Sequence, residues 1–70
     1  MSTLIAEADL TIAGGVFRTK IYQLPTANRF TISVDGLDHI NGTGRTVDDA
    51  IVDVVYEIEA YLEALTKPKH

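Results

Sequence analysis

"GTGRTVDDAIVDVVYEIEAYLEAL", Gly42 to Leu65, decides the fold. From its middle onward Val47, Ala50, Ile51, Val54, Val55, Ile58, Tyr61, Leu62 and Leu65 recur at three- and four-residue intervals. That period lines one face of an amphipathic α-helix. Thr46 stands at the position of an N-cap, with Asp49 three residues on, a capping-box-like pair in which Asp replaces the usual Glu. Asp48 and Asp49 lie at the positive end of the helix dipole, where acids are favoured. Lys67-Pro68 ends the helix, and residues 66–70 are expected as a flexible tail. Gly42 and Gly44 fall on one face of a short strand, roughly His39 to Gly44, and would let the helix pass close to the backbone.

The other chemistries that this stretch suggests do not fit it. A dinucleotide fingerprint needs a third glycine and a βαβ unit, and a P-loop needs Gly-Lys-Ser/Thr where this chain has Gly44-Arg45-Thr46. A phosphate at the helix N-terminus would be repelled by Asp48 and Asp49. Asn41-Gly42-Thr43 is a formal glycosylation sequon, but the acidic N-terminus "MSTLIAEADL" is not a signal peptide. Asp35, Asp38 and His39 are metal-type residues in one loop, without tight ligand spacing or a second cluster, and are expected as a solvated turn. Ser2 and Ser33 have no base beside them. No catalytic, cofactor-binding or metal-binding residue is expected, and the chain is not read as an enzyme.

Upstream, "TLIAEADLTI" alternates over residues 3–12, with Leu4, Ala6, Ala8, Leu10 and Ile12 inward and Glu7 and Asp9 outward. Gly14-Gly15 supplies a hairpin turn before "VFRTKIYQL". With the turn at Gly14-Gly15, Asp9 faces Lys20 and Ile12 faces Phe17. With the turn one residue earlier, Asp9 faces Arg18 and Glu7 faces Lys20. In both registers acids meet bases across the pair. "PTAN", Pro25 to Asn28, turns into the strand "RFTISV", which Asp35-Gly36 breaks. Arg18, Lys20, Tyr22 and Arg29 fall on the outer sheet face. The expected fold is α+β, an antiparallel sheet of three to four strands with one C-terminal helix across one face. Phe17, Ile21, Phe30, Ile32 and Val34 should pack against Val47, Ile51, Val54, Ile58 and Leu62.

The chain of 70 residues forms one domain with a thin core. It has no cysteine, and its apolar runs are far shorter than the roughly 20 residues of a membrane span. A soluble, cytoplasmic protein is expected. Six basic residues against ten acidic give a net charge of −4, which argues against direct nucleic-acid binding and suits a basic partner.

"FTISVDGLDHINGTGRTVDDAIVDVVYEIEAYLEAL", Phe30 to Leu65, resembles the second half of a HicB-type antitoxin domain. The matching positions are Leu37, Gly44, Thr46, the acidic pair Asp48-Asp49, Ala50 and the terminal "YLEAL". The chain differs in an additional N-terminal strand, in a loop Asp35 to His39 without the family's prolines, and in ending where many relatives carry a DNA-binding segment. The resemblance therefore implies the partner-binding half of the family's role, an acidic module covering a small basic RNA-cleaving toxin.

The helix face opposite the apolar stripe carries Asp49, Val52, Asp53, Tyr56, Glu59, Ala60 and Glu63, flanked by Asp48 and Glu57. No Lys or Arg lies between Arg45 and Lys67. Asp49–Asp53, Asp53–Glu57 and Glu59–Glu63 are like-charge neighbours four apart, each unfavourable by about 0.2–0.5 kcal/mol. A solvated acidic face is one explanation. The other is a contact surface made of Asp49, Val52, Asp53, Tyr56, Glu57, Glu59 and Glu63, with Tyr56 as its anchor. Asp49, Asp53 and Glu57 also rise in steps of about 6 Å, near the spacing of phosphates along a strand. The expected function is inhibition of a basic nucleic-acid-handling protein, either a toxin nuclease or a CRISPR effector subunit. Small size and acidity suit a phage-encoded anti-CRISPR inhibitor acting by nucleic-acid mimicry. The competing class is a homodimer that buries Val52 and Tyr56.

Overall fold

The computed structural model describes residues 2–25 and 28–66. Strands β1 (Thr3–Ile12), β2 (Gly15–Leu24), β3 (Arg29–Val34) and β4 (Leu37–Gly44) precede helix α1 (Val47–Thr66). The strands form one antiparallel sheet in sequence order, and the helix packs across one face of it. The fold is the α+β arrangement that the sequence predicts. The helix runs through Thr66, and the rest of the expected tail lies outside the described residues, as do Thr26 and Ala27 of the "PTAN" turn.

The hairpin adopts the second of the two registers. Ile12 faces Gly15, Asp9 faces Arg18 and Glu7 faces Lys20, so the turn is Ala13-Gly14. Both turn residues have positive φ, 52° at Ala13 and 80° at Gly14, the pairing that matches strand twist in a two-residue turn. Alanine in that region is strained by about 1–2 kcal/mol through its Cβ. Ala13→Asn gives the preferred Asn-Gly turn and should raise stability by about 1 kcal/mol, read as a later denaturant midpoint with an unchanged slope.

Two further details differ from the sequence reading. A bulge between Leu4 and Ala6 shifts the register, so Leu4 pairs with Tyr22 and shares its outer face instead of pointing inward. Strand β4 begins at Leu37, not His39, because Asp35 and Gly36 form a two-residue turn that sets Leu37 opposite Val34. Gly36 has φ 81° there. Asp38 and His39 are thus strand residues and not part of a loop.

Ile12, Ile21, Ile32, Val34 and Ile40 of the sheet and Ala50, Val54 and Ile58 of the helix form the buried core. Phe17, Phe30, Val47, Ile51 and Leu62 pack around it, half-buried. Ile40 and Ala50 take central places that the expected list did not give them, because the helix lies chiefly on β4. The two β4 glycines make that possible. A Cβ at Gly42 would stand 2.5 Å from the Ala50 carbonyl oxygen and 2.6 Å from the Val54 nitrogen. One at Gly44 would stand 2.6 Å from the Ala50 nitrogen. The helix backbone occupies the space of the missing side chains. Thr19, the buried polar residue of the core, donates its hydroxyl to the Ala8 carbonyl at 2.8 Å.

Candidate protein-binding surface

Thr46 and the glycine contacts fix where the helix starts and how it is rotated. Thr46 Oγ1 accepts the Asp49 N–H at 3.0 Å, and the Thr46 carbonyl accepts the Ala50 N–H at 3.1 Å. With Ala50, Val54 and Ile58 turned into the core, the opposite side faces solvent. Val52 is 55% exposed and Tyr56 is 67% exposed. Asp49, Glu57, Glu59 and Glu63 are exposed around them. The last turn carries no base.

Asp53 stands apart from this group. It is half-buried, and its Oδ2 accepts the backbone N–H of Thr43 at 2.8 Å. Thr43 lies on β4, the edge strand, so this carboxylate occupies an edge donor that would otherwise face water. The bond ties the helix to the sheet beside the Gly42 and Gly44 contacts. Asp53→Ala removes it and should lower stability by about 1–2 kcal/mol, measurable in denaturant melts. Sequence reasoning placed Asp53 on the helix face but missed this partner, since a strand-edge amide leaves no mark in the sequence. The bond also takes the middle carboxylate out of the Asp49–Asp53–Glu57 row.

Charge compensation separates the helix from the sheet. Arg18 Nε bonds Asp9 Oδ1 at 3.3 Å, and Arg18 Nη1 lies 3.9 Å from Glu7 Oε1. Lys20 Nζ lies 4.0 Å from Asp35 Oδ1. The Asp9 hydrogen bond, with the charges of Asp9 and Glu7, holds the Arg18 guanidinium above its ordinary pKa. These are the ion pairs found among the described residues, and all of them join sheet-side groups. Arg18 and Lys20 of the basic outer face are therefore matched by acids of the sheet and its turn, while the acids of the helix make no ion pair with any described residue.

Among the described residues no three His, Asp or Glu side chains gather into a group that could hold a metal ion, and no helix is long and apolar enough to cross a membrane. No protein-family model matches the sequence, and neither a curated protein nor a solved structure matches the chain.

Proposed function

We propose that the chain is a non-enzymatic binding module that covers and blocks a basic, nucleic-acid-handling protein through the outward face of its helix. The observation that carries this is the exposure of Tyr56 and Val52 at the centre of a face whose carboxylates have no cation beside them among the described residues. An aromatic ringed by polar groups is the usual anchor of an interface, and unpaired acids steer a cationic surface toward it. The contact set is Asp49, Val52, Tyr56, Glu57, Glu59 and Glu63, with Asp53 at its margin and engaged to Thr43.

The resemblance to HicB-type antitoxins over Phe30 to Leu65 makes a small basic RNA-cleaving toxin the first candidate partner. A CRISPR effector subunit suits the same charge. Val52 and Tyr56 are equally the residues that a helix-to-helix homodimer would bury, and one variant separates the classes. Tyr56→Ala should weaken partner binding by about 2 kcal/mol, roughly thirtyfold in Kd, with thermal stability unchanged. Affinity purification from the native host with both versions, followed by titration calorimetry on the protein retained, measures this. A retained protein that binds both versions equally places the surface elsewhere. A dimer that Tyr56→Ala converts to monomer, with no foreign protein lost, selects the homodimer.

A further inference from the structure

The two edges of the sheet are finished differently. At β4, Asp53 covers the Thr43 N–H, and the Tyr61 ring meets His39 edge-on at a centroid distance of 5.6 Å. Helix side chains thus stand along that edge at both ends. Among the described residues no helix side chain bonds the β1 edge in this way.

Backbone directions on β1 follow from the hydrogen bonds of β2. The Arg18 carbonyl accepts the Asp35 N–H at 2.9 Å and so turns away from β1. Its cross-strand partner Asp9 therefore turns its own N–H and C=O to the free edge, and the alternation of an antiparallel ladder gives Glu7 and Thr11 the same direction. From Ala6 to Ile12 this edge contains no proline, no lysine and no bulge, and its two charged residues, Glu7 and Asp9, both lie against Arg18. Beyond the bulge, Leu4 is 47% exposed and Ile5 is 44% exposed. They line a shallow cavity of about 270 Å³ with Ala6 and Glu7.

We infer that β1 pairs antiparallel with β1 of a second copy about a two-fold axis, joining two sheets into one of eight strands. Two observations select a second copy as the occupant. First, each chain carries a net charge of −4, so two copies repel over most of their surface. At β1 the acids Glu7 and Asp9 lie against Arg18, and Lys20 stands opposite Glu7 while shared with Asp35, so two bases offset two of the three acids there and the repulsion is weakest on this side. Second, pairing of β1 with itself is isologous and leaves only the two β4 edges, both guarded by Asp53. Association then stops at two. The axis keeps both helices on the same side of the joined sheet, with each Tyr56 exposed. The inference does not depend on what the helix face binds. The strand has 10 residues, so the contact is at the small end of protein interfaces and should be reversible.

Sedimentation equilibrium of the purified chain from ~10 µM to ~1 mM tests this, combined with amide exchange at both limits. The expected mass rises from 7.6 kDa to twice that value with concentration. The Glu7, Asp9 and Thr11 amides should slow roughly tenfold at the upper limit, with the Thr43 amide unchanged. Ala6→Lys, at an exposed position, and Thr11→Pro, which removes one edge donor, should both hold the chain at 7.6 kDa across the range. Ala6→Lys decides the matter if the proline variant does not fold. A chain that stays monomeric at the highest concentration, with unaltered exchange at those three amides, overturns the inference. So does a dimer that Ala6→Lys leaves intact, or one that Tyr56→Ala dissociates.

Discussion

Gly42→Ala is expected to remove most of the stability of this chain. Its Cβ would lie 2.5 Å from a backbone oxygen and 2.6 Å from a backbone nitrogen of the helix, and neither can swing away as a flexible side chain could. The helix must lift off β4 by the better part of an ångström, which loosens the packing of Ala50 and Val54 and lengthens the 2.8 Å bond from the Thr43 N–H to Asp53. Overpacking a core typically costs about 1–3 kcal/mol, and a backbone clash belongs at or above the top of that range. A domain of this size has roughly 4–10 kcal/mol in total at the usual stability per residue. Urea melts followed by circular dichroism should show the midpoint fall steeply, with Gly44→Ala behaving alike. A loss below about 0.5 kcal/mol would mean that the helix does not sit on the glycines.

Ile58→Ala should be nearly as damaging. Ile58 is fully buried between helix and sheet, and truncating such a side chain costs about 2–5 kcal/mol depending on how far the site collapses. Val52→Ala, six residues earlier on the same helix, should change stability by less than about 0.5 kcal/mol, because Val52 is already 55% exposed. The pair measures the rotation of the helix about its axis. Reversed values would put Val52 in the core and withdraw the exposed face that the functional proposal requires.

The helix was readable because its apolar spacing, its Thr46 cap and its glycine-marked entry all agree. The pairing of Glu7 and Asp9 with Lys20 and Arg18 likewise announced the hairpin, although charge alone could not choose between two registers. The choice rested on Ala13 accepting a left-handed conformation, which alanine disfavours and which a turn at Gly14-Gly15 would not require. The bulge near Ile5 was hidden because Leu4, Ile5 and Ala6 are all apolar, so the alternation there has no contrast to show a slip. Asp35-Gly36 carried a hairpin signal, yet the mixed pattern of Leu37 to Ile40 concealed that the next strand starts at once. The exposure of Val52 and Tyr56 followed directly from the helical period. What lay beyond the sequence was the use of Asp53 as a strand-edge partner and the pairing of Lys20 with Asp35 on the outer sheet face. Both depend on which backbone amide or side chain lies across a gap in space.

The footprint of the partner on the isotope-labelled chain tests the central claim most directly. Amide shifts on titrating the basic protein retained from the host should concentrate on the helix between Asp49 and Glu63 and be largest near Val52 and Tyr56. Association should slow and lose much of its salt dependence when Glu57 and Glu59 are both replaced by lysine, since those charges steer the encounter. Shifts confined to Arg18, Lys20, Tyr22 and Arg29, with the helix silent and the double-lysine variant binding as before, would contradict the account and make the sheet the binding face.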